Sequence, residues 1–178
     1  MEDPKPWIRQ GDIFRRVWRV VRTVDDGIIK NTTSQESALL VSHGCDLDKK
    51  DASGHPAIVQ LIFAPISLAT NFPKLDAGLL RKLKDGAISP PSLVYIPVED
   101  GQAETVANLG QTFFVPAEYF EPRLQDFTGR PDLEDDTTTR LVLGRTVERT
   151  GTLSESEVAI LHNKITVFFT RTQLEVPE

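Results

Sequence analysis

Residues 11–24 read GDIFRRVWRVVRTV, and Asp25-Asp26-Gly27 follows them. β-Branched and aromatic side chains suit a pleated, half-buried surface, so this stretch predicts a long strand. The Asp-Gly step tolerates the positive φ that a tight hairpin turn demands, so the chain is expected to double back there. After a polar stretch from Asn31 to Glu36, Ala38-Leu39-Leu40-Val41 is a continuous apolar run of the kind a buried strand shows. These elements set a mainly β domain, and the rest of the chain is read outward from them.

His43 to Gly54 reads as a polar loop. Ala57 to Ile66 has the strongest strand pattern in the chain and is expected to end at Pro65. Asp76 to Lys84 predicts a short helix with Leu79, Leu80 and Leu83 on one face, stopped by Pro90-Pro91. Ser92 to Val98, Gln111 to Val115 and Arg140 to Val147 read as further strands, and Pro122 to Thr139 as a loop. At the C-terminal end, Ser154 and Glu157 form a capping box, and Leu153 and Val158 a hydrophobic staple. Val158, Leu161, Ile165 and Phe168 then share one face of a helix that must pack on the sheet. Strands followed by a closing helix imply an α+β, mainly β, barrel-like domain rather than a parallel βαβ fold. A single domain over residues 1–178 is expected.

The net charge of −6 argues against a general affinity for nucleic acid, though a local basic groove is compatible with it. Acids gather at Asp126, Asp132, Glu134, Asp135 and Asp136, while Arg15, Arg16, Arg19 and Arg22 cluster near the start. On an extended strand Arg16, Trp18 and Arg22 share a parity, with Arg15 and Arg19 opposite. Such a basic, aromatic surface can hold single-stranded RNA through phosphates and stacked bases. The competing reading is a solvated face whose arginines pair with acids, with Trp7 and Trp18 as core-edge aromatics. The lone cysteine, Cys45, excludes an internal disulfide and suggests a reducing compartment. Residues 1–10 lack a signal-like apolar stretch, and no apolar run approaches the roughly 20 residues that span a bilayer. A cytoplasmic protein, free of membrane, is expected.

Ser42-His43-Gly44-Cys45-Asp46-Leu47-Asp48-Lys49 begins where a buried strand ends, a common place for reactive groups. It has three readings. Cys45 can be a nucleophile whose pKa His43 lowers. His43, Cys45, Asp46 and His55 can bind a metal, although without the paired spacing of zinc motifs. Or Cys45 is a buried small hydrophobe and Asp46 caps a turn. Neither a metal nor a cofactor is assigned.

Three blocks, in order, resemble toxins of the PemK/MazF type. They are Trp7-Ile8-Arg9-Gln10-Gly11-Asp12-Ile13-Phe14; Ala38 to Ser42 with Ile58 to Ser67; and Gly151-Thr152-Leu153-Ser154 through Val167. The resemblance covers about half of the chain, with residues 71–89 and much of 122–138 as insertions. It implies a small SH3-like barrel with a terminal helix, usually a homodimer. It also implies a metal-independent endoribonuclease on single-stranded RNA, restrained by an antitoxin, in bacterial or phage conflict. Ser67 stands where the family places its catalytic Thr or Ser. Where the family has a catalytic arginine followed by proline, this chain has Glu36 and Ser37. Arg140, Arg145 or Arg149 are candidates to replace that cation. Two main readings follow. One is an endoribonuclease using Ser67 beside a cleft lined by His43, Cys45 and Asp46; the other is an inactive binding or regulatory module of the same fold. A thiol-dependent enzyme built on Cys45 is the third.

Overall fold

The computed structural model describes residues 8–47, 49, 52, 57–99, 101–117 and 147–174. Strands β1 (Asp12–Asp25) and β2 (Ile28–Leu40) form the expected hairpin. Asp26 and Gly27 turn it at φ of 48° and 77°, values that Asp and Gly accept more readily than other residues. β2 is longer than its apolar content suggests, because Asn31–Glu36 is held extended by pairing with Val17–Arg22. The β1–β2 register slips between Phe14 and Val17, where Arg16 takes φ 58°. This bulge puts Phe14 and Val17 into one core despite their odd spacing. The simple alternation that placed Arg16 beside Trp18 and Arg22 therefore does not carry through it.

The chain continues through α1 (Gly44–Leu47), β3 (Gln60–Leu68), α2 (Ala77–Lys84), β4 (Leu93–Ile96), β5 (Thr105–Asn108), β6 (Phe113–Pro116), β7 (Glu148–Thr152) and α3 (Glu155–Leu174). Among the described residues the strands form one antiparallel, seven-stranded sheet in the order β4-β5-β3-β2-β1-β7, with β6 also paired to β3. β4 and β7 end that path, so the sheet is open. The domain is α+β and mainly β, with the short inserted helix present as α2. Asp76 caps α2 by accepting the Leu79 N–H at 2.7 Å.

β3 organises the sheet. Residues 63–65 pair with β2, while the opposite edge serves β6 over 60–63 and β5 over 66–68. Pro65 was expected to end the strand, yet it lies inside it. It falls at the hand-over from β6 to β5, where its missing N–H leaves no partner unpaired. β5 and β7 have no counterpart among the sequence-predicted strands. The strand expected at 140–147 lies outside the described residues except for Val147.

Both faces of the central strands are buried. On one, Phe14, Val17, Ala38, Leu40, Leu61, Phe63, Phe113 and Val115 form a core, with the Phe14 and Phe63 rings edge-on at 5.7 Å. β6 curls back toward β1 there, its Phe113 ring 5.5 Å beneath the Arg19 guanidinium. On the other face, Ile13, Leu39, Val41, Ala64, Val94 and Ala107 are roofed by Val158, Leu161, Ile165 and Phe168 of α3. The helix stripe read from sequence is thus the packed one. Its start is capped as expected: the Ser154 N–H donates to Glu157 Oε2 at 2.6 Å, and the Glu157 N–H to Ser154 Oγ at 3.4 Å. No helix among the described residues is long and apolar enough to cross a membrane.

Two positions tie α3 to the rest. Gly11 has φ 93°, and a Cβ there would sit 2.7 Å from Val158 Cγ2 and 3.3 Å from Leu153 Cβ. Lys164 is 1% exposed and donates through Nζ to the carbonyls of Ile88 at 2.9 Å and Pro90 at 3.2 Å. Desolvation lowers its pKa from 10.5 to about 8.

Gly11→Ala is expected to lower stability by about 1–3 kcal/mol, from backbone strain and overlap, read as a fall in the urea midpoint. For Lys164, between about 8 and 10.5 the unfolded chain holds more protons than the folded one. Stability therefore rises with pH across that window, and below it the cost of burying the cation is fully present. Denaturation of wild type and Lys164→Met across the window should show their stability difference moving in favour of wild type. A constant difference would contradict the assignment.

Candidate functional site

The site forms where β2 leaves the sheet. The Val41 N–H donates to the Ile62 carbonyl at 2.8 Å, and the Ile62 N–H donates to Ser42 Oγ at 2.8 Å. Buried Gln10 adds a third tie, its Nε2 donating to the Val41 carbonyl at 2.8 Å. His43 follows these anchors, and its carbonyl accepts the N–H groups of Asp46 and Leu47 at 3.0 and 3.2 Å. Leu47, 4% exposed, pins that turn into the core. His43 is therefore held at a fixed point at the end of β2.

α3 crosses the same end of the sheet. His162, Ile165 and Phe169 recur at i, i+3 and i+7, so they line one flank of the helix. The ring centroids of His43 and His162 lie 5.2 Å apart, tilted by 57°, and both residues are exposed. The tilt leaves the imidazoles unstacked. Beside them opens a cleft of about 730 Å³. Val41, Ile58, Ile62, Ile165 and Phe169 supply its apolar wall, and Gln10, Ser42, Asp46, Lys49 and Gln60 its polar one. Phe114, 60% exposed, is the cross-strand neighbour of Ile62.

Lys49 Nζ lies 2.7 Å from Asp46 Oδ1. That hydrogen bond, then the charge of Lys49 and, more weakly, of His43, hold the Asp46 carboxyl below its ordinary pKa. The carboxylate is thus kept ionised beside the histidines. Two adjacent imidazoles can take and return protons near neutral pH, and a lysine at the same rim can meet an anion.

The other sequence-derived candidates lie apart from this cleft or are engaged elsewhere. Ser67 pairs with Val106 of β5, roughly 17 Å along β3 from Ile62 at ~3.3 Å per residue. It is not brought together with His43 or Asp46. Glu36, in the position of the family's arginine, accepts Arg19 Nη1 at 3.2 and 3.3 Å on its two oxygens. Arg19 thus bridges Glu36 and the Phe113 ring. Arg22 Nε reaches Asn31 Oδ1 at 3.4 Å, Trp18 is 41% exposed, and Arg16 is exposed on the bulge. Arg149 holds buried Asp12 at 3.0 Å, a structural role in place of the catalytic one considered above. Trp7, Asp48, His55, Arg140, Arg145, the acids at 126–136 and the side chain of Cys45 lie outside the described residues.

His162 was missed as a partner because it sits beside core positions on an amphipathic helix. Its signal was the His-x-x-Ile-x-x-x-Phe spacing, a flank with a polar head and an exposed aromatic end. Among the described residues, no three His, Cys, Asp or Glu side chains form a group that could hold a metal ion. Neither a scan of protein-family models nor a search of curated proteins finds a match to this chain.

Proposed function

We propose that the protein is a metal-independent endoribonuclease that cleaves single-stranded RNA at the His43–His162 cleft. The observation that carries this reading is the 5.2 Å approach of the two imidazoles at the cleft mouth. One imidazole takes the proton of a ribose 2′-OH as its oxygen attacks phosphorus. The other gives its proton to the departing 5′-oxygen as the P–O5′ bond breaks, leaving a 2′,3′-cyclic phosphate and a 5′-OH. Lys49 stands in the same cleft to offset the charge that develops on the phosphoryl oxygens.

This keeps the reaction class implied by the PemK/MazF resemblance and moves the chemistry away from Ser67. The curl of β6 toward β1 around Phe14, Phe63 and Phe113 supports a divergent SH3-like barrel. A homodimer restrained by an antitoxin-like protein belongs to the same family reading. One observation favours the alternative, a catalytically inactive binding or regulatory module. The position of the family's arginine carries Glu36, whose carboxylate is occupied by Arg19.

The test is incubation with a long single-stranded RNA in EDTA, followed by analysis of the fragment ends. Cyclic-phosphate ends are expected, with a bell-shaped pH–rate profile. His43→Ala and His162→Ala should each slow cleavage by roughly 10²- to 10⁴-fold, while Ser67→Ala stays close to wild type. Cleavage lost only in Ser67→Ala would return the chemistry to β3. No cleavage by any form would favour the binding module.

A further inference from the structure

We infer that the cleft beside the histidine pair is a subsite for one unstacked nucleobase, with Phe169 as its stacking face and the Gln60 amide reading the base edge. The inference rests on the proposed RNA reading of this cleft and adds what the cleft recognises.

The geometry is that of a nucleotide-sized recess with two chemical ends. At about 730 Å³ it lies within the roughly 300–1,000 Å³ range of small-ligand pockets. Lys49 and the two histidines give one end groups that meet a phosphate, with Asp46 offsetting part of the lysine charge. The other end is apolar, formed by Ile62, Ile165 and Phe169. Phe169 is 44% exposed, so its ring is available from the cleft side. It is also held in place, because the Phe168 ring meets it edge-on at 5.2 Å and 81° while Phe168 packs into the core. A fixed, exposed ring at a cleft wall is a stacking platform that any base can use.

Base choice needs a donor and an acceptor in the same wall. Gln10 spends its Nε2 on the Val41 carbonyl, and Ser42 Oγ accepts from Ile62. Gln60 is exposed, lines the cleft, and makes no side-chain hydrogen bond among the described residues. Its amide offers both a donor and an acceptor, the combination that a base edge requires. It stands on β3, a strand paired on both edges, so the reader is placed on a rigid element.

The test uses the full chain and the four ribonucleoside 3′-monophosphates, which carry no scissile bond, with affinities read by calorimetry. Wild type is expected to bind them with a measurable preference among bases. Phe169→Ala should weaken binding roughly 5- to 100-fold. Phe169→Leu, which keeps apolar bulk and lacks the ring, should weaken it comparably. Gln60→Ala should flatten the preference more than it lowers the mean affinity. His43→Ala should lose RNA cleavage and still bind uncharged nucleosides, which separates the subsite from the catalytic reading. Nucleotide affinity and preference unchanged in the Phe169 and Gln60 variants would overturn the subsite, even in a protein that cleaves RNA. Absence of nucleotide binding by wild type would overturn it as well.

Discussion

Leu39 and Leu40 are consecutive, and both are fully buried. Neighbouring side chains on a strand point to opposite faces, so β2 must be covered on both sides. The chain meets that constraint in two ways. On the Leu40 face the sheet curls on itself, bringing Phe113 of β6 over a core of Phe14, Val17 and Phe63. On the Leu39 face no further strand is used, and α3 lies across through Leu161, Val158 and Ile165. The path of α3 across the end of β2 is what brings His162 to His43. The candidate site is therefore a by-product of the double burial of one strand.

The Gly11-Asp12 corner fixes where that helix starts. Gly11 leaves room for Val158 and Leu153, and its carbonyl accepts the Leu153 N–H at 2.9 Å. Asp12, fully buried, accepts the Arg9 N–H at 2.9 Å and Arg149 Nη1 at 3.0 Å, joining the entry of β1 to β7. Arg9 continues the clasp through Nε to Thr152 Oγ1 at 3.1 Å. Asp12 Oδ1 is buried with no hydrogen-bond partner, a polarity the fold carries at some cost. Removing one member of a buried pair leaves the other charge uncompensated, so the corner is a firm anchor for α3.

How much of this was legible depends on how local the cause is. The hairpin, the buried Ala38–Val41 run, the short helix at 77–84 and the capped C-terminal helix each follow from a pattern within one stretch, and each is present. Pro65 misled because its tolerance in a strand depends on which neighbour faces it, and β5 and β6 are set by non-local pairing. The parity of the arginine strand failed at the Arg16 bulge, which no composition rule marks. Of the site, His43 and Asp46 were visible as a polar loop after a buried strand. His162 was not, since its meaning comes from a contact 119 positions away in sequence. Lys164 was hidden for the same reason, its partners being carbonyls of a distant loop.

The account joins a helix that closes a curled sheet to a pair of imidazoles acting on one phosphate beside an apolar wall. Its central claim is that His43 and His162 work as a unit on RNA. The most direct measurement follows the imidazole nitrogens of both residues by NMR while an uncleavable 2′-deoxy oligonucleotide is added. The account predicts that both imidazoles respond with a common midpoint, and that His43→Ala diminishes the response of His162. An oligonucleotide that binds while leaving both histidines unmoved would contradict it.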